Sequence, residues 1–536
     1  MYPLGDTTYD VAIVGSGVAG SLSAYRLAKA GLRVAVLEAG PWVTAGDVFD
    51  AYQKTEDPYH SACYPSLEYA PRPQEAHPHH YLTQKGPDIF ATDYLRVVGG
   101  TTWHWGGACL RMRPDEFDIK TRYGVGRDWP LSYADIEPYY LQAEDEMGIS
   151  GDQEDDLGSP RSAPFPLGPM PISILEHTVN DAAASSGMEF RILPQARGLQ
   201  PYKERPACHG HSLCTPICPI GAMYNGAVHA TKAIDAGAEL FDRTQVTRID
   251  VGQGRNVTSL QYRHADGHVG QVKARAFVVA ANTMETTKLL LASSSEATPN
   301  GVANSSDMVG RNLMGHPSVL VHLRSKTPVF AGRGPQANSA AHLLRSGDFK
   351  SDRAGVTVVL ENRIDLGGIT VKALQNLSPD RPHGEVIRDN AMREFDIYFF
   401  AEQLPDSHNR ITIDPEALDS SGMPVMNIHF QSGQYSVDGL DHAMDQLFAA
   451  NGMADQFEIL SRSWGLAGTH VTGTTVMGKN PKDSVVTADG QSHDHPNMFI
   501  AGGGVFASSS TAHPTLTIAA LALKTSQSVL DYLEAT

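Results

Sequence analysis

Cysteine is scarce in this chain, with five residues in 536. So sparse and odd a set excludes a disulfide-stapled scaffold, and a chain this long has ample core without covalent help. Basic residues are outnumbered, 42 Lys and Arg against 60 Asp and Glu, for a formal charge of −18. That balance argues against nucleic acid as a partner and against an anionic membrane surface, while it suits docking to a basic electron acceptor. No apolar run approaches the ~18 residues needed to cross a bilayer, so no direct membrane span is expected. The first residues, Met1-Tyr-Pro-Leu-Gly-Asp6, lack a basic segment leading into an apolar one, and the expectation is a chain with no export signal of its own. There is no C-x-x-C-H haem-attachment run, no internal repeat and no low-complexity tract.

What is present begins with a strand, a turn and a helix. Asp10-Val-Ala-Ile-Val14 is an apolar β-branched run, followed at once by Gly15-Ser-Gly17-Val-Ala-Gly20. Ser21 to Ala30 reads as a helix that Gly31 ends, and Leu32 to Leu37 reads as a second strand closing on Glu38. A lone G-x-G-x-x-G carries little information. Here a strand precedes it, a helix follows it, and an acid stands 18 residues past the last glycine, which together specify a dinucleotide site. The glycines allow a tight turn and let a pyrophosphate approach the helix N-terminus, where unpaired N–H groups favour anions. Glu38 is expected to hold the adenosine ribose hydroxyls.

Ala274 to Ala281 reads as another buried strand with a helix from Glu285 to Ser293 behind it. Asn497 to Gly504 reads as a strand ending in glycines, and Leu516 to Tyr532 as a closing amphipathic helix. The stretches between hold prolines and alternating segments such as Val356-Thr-Val-Val-Leu360. The expected fold is therefore α/β: a Rossmann-like dinucleotide-binding domain built from 1–110, 220–316 and 471–536, with an inserted, largely antiparallel-sheet substrate domain from 111–219 and 317–470.

Several further segments carry a family resemblance. They are Val98-Gly-Gly-Thr-Thr-Trp-His-Trp105, Tyr123-Gly-Val-Gly-Arg-Asp-Trp129, Cys218-Pro-Ile-Gly-Ala-Met-Tyr-Asn225 and Val302 to Asn312. His470-Val-Thr-Gly-Thr-Thr-Val-Met-Gly478 and Pro514-Thr-Leu-Thr-Ile-Ala-Ala520 complete the set. With the Gly15–Gly20 turn and Glu38, these segments resemble the glucose-methanol-choline (GMC) oxidoreductases over essentially the whole chain. Within that family the chain most resembles the catalytic subunits of bacterial FAD-dependent glucose and fructose dehydrogenases.

The resemblance implies oxidation of a sugar or polyol hydroxyl, with hydride passing to flavin N5. A neutral imidazole suits removal of the hydroxyl proton, and the resemblance places His470 in that role. His513 matches a second position, His or Asn in the family, that hydrogen-bonds the same hydroxyl. The resembling sugar dehydrogenases have asparagine there, so histidine leaves the substrate open. For FAD the resemblance adds Gly100, His104, Val246 and Gly503 to Gly15, Gly17, Gly20 and Glu38. His104 matches a position where some relatives attach the flavin covalently through imidazole; a loop histidine packed on the flavin edge is the other reading. Glu402 is a candidate substrate contact or, equally, a buried structural carboxylate.

Three of the five cysteines, Cys208, Cys214 and Cys218, fall within eleven residues. Zinc asks for four tetrahedral ligands, and His209 or His211 could supply the fourth. Iron–sulfur clusters ask for thiolates on a compact loop, often with proline after the last cysteine, as in Cys218-Pro219. The resembling dehydrogenases use this spacing for a [3Fe-4S] centre, which implies electron transfer to a separate c-type cytochrome subunit. A small signal-bearing subunit and a periplasmic, membrane-associated setting follow from the same resemblance, with the cytoplasm as the alternative. Cys63 and Cys109 have no partner pattern and are expected as buried thiols. Two other classes stay open: a GMC oxidase using oxygen, its cysteine loop structural, and a non-catalytic flavoprotein, against which the His470 and His513 pair argues.

Overall fold

The computed structural model describes residues 8–55, 62–73, 81–376, 381–466, 468 and 470–536; the segment read for an export signal, Met1 to Asp6, lies outside them. Strand Thr8–Val14 pairs in parallel with Val34–Leu37 on one side and with Val269–Val279 on the other. Its residues Val11, Ala12 and Ile13 are fully buried, as a parallel strand covered on both faces requires. Glu239–Phe241 extends the sheet beyond Val34–Leu37, and Met498–Ile500 adds in parallel to the far end of Val269–Val279.

Val269–Val279 changes partner along its length. Its first residues alternate exposed and buried and pair antiparallel with Val257–His264, which in turn pairs antiparallel with Thr244–Val251. Its last residues, Phe277 to Val279, are wholly buried between parallel neighbours. The sequence shows the buried half plainly; the alternating half starts five residues earlier than the expected Ala274.

Helix boundaries shift for identifiable reasons. The first helix runs Val18–Lys29 rather than from Ser21, because Gly17 in extended conformation is already its N-cap. The helix expected from Glu285 runs Thr283–Ala292, capped by Asn282, whose side chain accepts from the Met284 N–H. The closing helix spans Pro514–Ala535 with proline at its first position, where no N–H is needed.

A second, six-stranded sheet is antiparallel throughout, in the order Phe457–Leu466, Pro317–Ser325, Glu394–Ala401, Val356–Glu361, Ala337–Ala341, Phe190–Ile192. Side chains alternate across it. Val319, Val321, Ile397 and Phe399 pack in one cluster with Leu440, Ala443 and Leu447 of helix Gln434–Phe448. Leu320, Tyr398 and Phe400 point the other way, into a cavity shared with the glycine turns of the first sheet. A small sheet of Arg410–Leu418, Pro424–His429 and Leu82–Gln84 completes the strands described.

Candidate active site

One cavity of about 570 Å³ runs from the Gly15–Gly17 turn to the two C-terminal histidines. At its first end Gly15 adopts φ +91°, and a Cβ at Gly20 would stand 2.0 Å from the Gly15 carbonyl oxygen, so both positions demand glycine. The first turn of helix Val18–Lys29 has no acidic residue and no side-chain cap, which leaves its N–H groups and partial positive charge facing the cavity. Glu38 is buried at the cavity wall. Its Oε2 accepts from the Ser16 N–H and hydroxyl, each at 2.8 Å, and its Oε1 from the Gly40 N–H at 2.9 Å. Burial pushes the carboxyl up from its usual range, against those N–H groups, which pull it down.

Gly100 also lines the cavity, at φ +63°, where a Cβ would approach Gly17 Cα to 2.9 Å. The loop after it is pinned by both of its tryptophans: Trp103 donates its indole N–H to the Val98 carbonyl and Trp105 to that of Tyr224, each at 2.8 Å. His104, held between them, is buried at the cavity wall. Its Nδ1 lies 4.0 Å from the Asp93 carboxylate, and its ring meets Tyr64 edge-on. Val246 and Gly503 line the same space. All eight candidate cofactor residues except Gly20, which packs behind the turn, border this one cavity.

His470 and His513 meet at its other end, with ring centroids 5.4 Å apart and planes nearly perpendicular. A third ring, His316, joins them. Met314 and Thr472 exchange backbone hydrogen bonds at 2.9 Å, and this antiparallel register sets His316 opposite His470. The two Nδ1 atoms stand 3.3 Å apart, so one ring donates to the other and Nε2 of His470 is the nitrogen left for a ligand. His316 stacks on Phe400 at 5.0 Å, and Phe400 meets His513 edge-on.

His470 and His513 face the cavity and His316 is buried beside His470, and desolvation lowers all three basicities. Burial brings His470 down to about 4 and holds His316 and His513 well below the ordinary imidazole value, with mutual repulsion adding to the last two.

The sequence reading missed His316, although it stands four residues after the Val302–Asn312 motif. It also missed the polar clamp before His513. Buried Glu116 accepts from the Thr511 N–H at 2.7 Å, and Arg345 donates through Nε to the Thr511 hydroxyl at 2.9 Å. Glu402 does not line the cavity. It is buried against Lys350, 3.0 Å away, and accepts from the Gly355 N–H and the Tyr435 hydroxyl. Of its two readings the structural carboxylate is the one the coordinates support.

Cys208, Cys214 and Cys218 line a second, small cavity together with His209, His211 and Arg197. Arg197 is buried and donates through Nη1 to Cys214 Sγ at 2.7 Å. Burial disfavours its charge, but the three sulfurs hold the guanidinium above its ordinary range. Among the described residues no group of three or more Cys, His, Asp or Glu is arranged to bind a single metal ion. Cys63 and Cys109 are buried outside any disulfide; burial lifts the Cys63 thiol to about 11 and the Cys109 thiol higher.

Comparison with known proteins follows the same outline. A family model described as GMC oxidoreductase matches residues 405–522, and one described as FAD dependent oxidoreductase matches 10–52. The chain is 36% identical over 535 residues to the fructose dehydrogenase large subunit of Gluconobacter japonicus, covering 98% of each. The chain belongs to the GMC oxidoreductases. This GMC oxidoreductase is also 27% identical to the 2-methyl-1,2-propanediol dehydrogenase of Mycolicibacterium austroafricanum, over 96% of this chain and 94% of that one. Its fold matches a formate oxidase crystal structure with a TM-score of 0.67 over 99% and 98% of the two chains, at 15% identity. As a GMC oxidoreductase it is an FAD-dependent enzyme that oxidises CH–OH groups of sugars or alcohols.

Proposed function

We propose that this GMC oxidoreductase is the catalytic subunit of a sugar or polyol dehydrogenase that delivers electrons to a separate carrier rather than to oxygen. The observation that carries the chemistry is the His470–His513 pair, 5.4 Å apart in the cavity that also contains the dinucleotide turn. Depressed basicity keeps His470 neutral at working pH, and in the tautomer that donates Nδ1–H to His316, Nε2 accepts the substrate hydroxyl proton. His513 hydrogen-bonds the same oxygen and fixes its direction. His316 holds the His470 ring by its other nitrogen. FAD, when bound, supplies the hydride acceptor. The Gly15–Gly20 turn and Glu38 would hold its adenosine and pyrophosphate end, with Gly100, His104, Val246 and Gly503 along its length and His104 as the point of covalent attachment. In this reading 1–110, 220–316 and 471–536 form the FAD-binding domain, and 111–219 with 317–470 shape the substrate side.

The reading extends to the cysteine loop. A mononuclear zinc site needs its ligands converging on one atom, an arrangement not found among the described residues. Three cysteine sulfurs around one small cavity, facing a buried cation, suit a [3Fe-4S] centre that would supply one-electron transfer when bound. The fructose dehydrogenase relative is a large subunit, which supports a multi-subunit assembly; in this reading its other members are a c-type cytochrome and a small signal-bearing subunit. A periplasmic, membrane-associated setting would then come through those partners. Among the described residues no helix is long and apolar enough to cross a membrane.

The test is an anaerobic screen of sugars and polyols against the purified flavoprotein, following flavin bleaching and identifying the ketone or lactone formed. Acid precipitation of the same sample should leave yellow colour in the pellet if His104 is the attachment point. Oxygen consumption at the rate of substrate oxidation, with no iron in the protein, would replace the dehydrogenase reading with an oxidase.

A further inference from the structure

We infer that Arg197 sets the reduction potential of the metal centre at Cys208, Cys214 and Cys218, through a fixed positive charge and an N–H bond to Cys214 Sγ. The inference rests on the reading of those cysteines as cluster ligands and adds to it a residue outside the ligand set.

The geometry is built rather than incidental. Arg197 is 2% exposed, and its guanidinium is gripped at two points. Nη1 donates to Cys214 Sγ at 2.7 Å, and Nη2 donates to the carbonyl of Gly106, a residue in the wall of the flavin cavity. Gly107 makes room for it: a Cβ there, at φ +81°, would come within 2.7 Å of Nη2. Among the described residues no carboxylate lines the small cavity, and the groups that favour the Arg197 charge are the three sulfurs. Burying an arginine against three neutral thiols would leave its charge uncompensated. Against thiolates it becomes a charge-assisted pair.

Charge and hydrogen bonding to the sulfurs are the levers by which protein sets cluster potentials. The reduced form of any such centre carries one more negative charge than the oxidised form. A guanidinium at hydrogen-bond distance, in surroundings of low dielectric, favours the reduced form and so raises the potential. Arginine keeps its charge at every working pH, which makes the bias constant. The same side chain touches the wall of the flavin cavity, so its position is coupled to the loop that carries His104.

The experiment compares the natural holoprotein with Arg197→Gln and Arg197→Lys, by iron content, FAD content and an EPR-monitored redox titration. Removing the charge in Arg197→Gln should shift the one-electron equilibrium toward the oxidised form by about tenfold or more, which is ~59 mV per tenfold. Arg197→Lys should shift it less. An unchanged midpoint in Arg197→Gln with iron retained would overturn the inference. So would iron loss from both variants, which would make Arg197 a support for the loop. If Arg197→Gln alone loses iron, a lowered midpoint in Arg197→Lys sustains the inference and an unchanged one rejects it. A natural protein without iron is a different failure: it removes the cluster reading itself, and it shows before any variant is made.

Discussion

Desolvation of single side chains decides what the histidines can do. An exposed imidazole has a pKa of ~6.5, whereas burial takes His470 to about 4. A group shifted down in this way is neutral above its folded value, so the base is ready well below pH 6.5. The acid limb of kcat/KM should therefore lie near pH 4, although His316, His470 and His513 are close enough that the limb belongs to the cluster. A limb centred near 6.5 would mean that water reaches the ring. Replacing His470 with alanine should lower kcat by about 10²–10⁴ while FAD stays bound; near-normal turnover would reject it as the base. His513→Asn should be milder, because an amide still hydrogen-bonds the hydroxyl. Glu402 provides a contrast. Glu402→Ala leaves buried Lys350 with the longer Asp115 contact at 3.8 Å in place of the 3.0 Å pair, a loss of up to about 3–5 kcal/mol read as a lower Tm in scans at one rate. KM should not move, since Glu402 does not line the cavity; a raised KM with normal Tm would return it to the substrate site.

Elements differ in how far their role can be read from their own residues. The strand–glycine turn–helix at the N-terminus was legible because its signals are local: an apolar run, glycines where φ is positive or a Cβ would clash, and an acid at the next strand end. Gly20→Ala places a methyl 2.0 Å from the Gly15 carbonyl oxygen and should weaken FAD retention by roughly tenfold or more, given an overpacking penalty of ~1–3 kcal/mol. The check is the flavin-to-protein absorbance ratio. At Gly17 a Cβ meets no protein atom within 4 Å, so flavin lost from Gly17→Ala would report the ligand's approach rather than a broken turn. His316 was not legible, because its role comes from pairing Met314 with Thr472, and the two rings stand 154 positions apart. Glu402 stayed ambiguous for a like reason: the lysine that neutralises it lies on another segment, and no spacing in the sequence joins them. Arg197 gave no signal at all. An arginine in a loop is ordinarily solvated, and only the fold shows it sealed between Gly106 and Cys214.

On the scale of the whole molecule the proposed reading assigns hydride chemistry to one cavity and one-electron chemistry to the other, and Arg197 touches the walls of both. A haem acceptor takes electrons singly, whereas alcohol oxidation releases a pair. In that reading a one-electron centre matters to the partner and not to the substrate. The charge of −18 would speed encounter with a basic cytochrome, and that rate should fall as salt rises. The separation of the two cavities makes the roles independently testable. Cys214→Ser replaces the sulfur that accepts the Arg197 N–H with a hydroxyl oxygen, a poor cluster ligand, while leaving every histidine of the substrate end in place. Anaerobic bleaching of the flavin by substrate should then proceed at close to the natural rate, and reduction of the cytochrome should fall to background. Loss of both activities together would show that the cysteine loop supports the fold of the flavin cavity. Retention of both would show that electrons leave by a route that bypasses the loop.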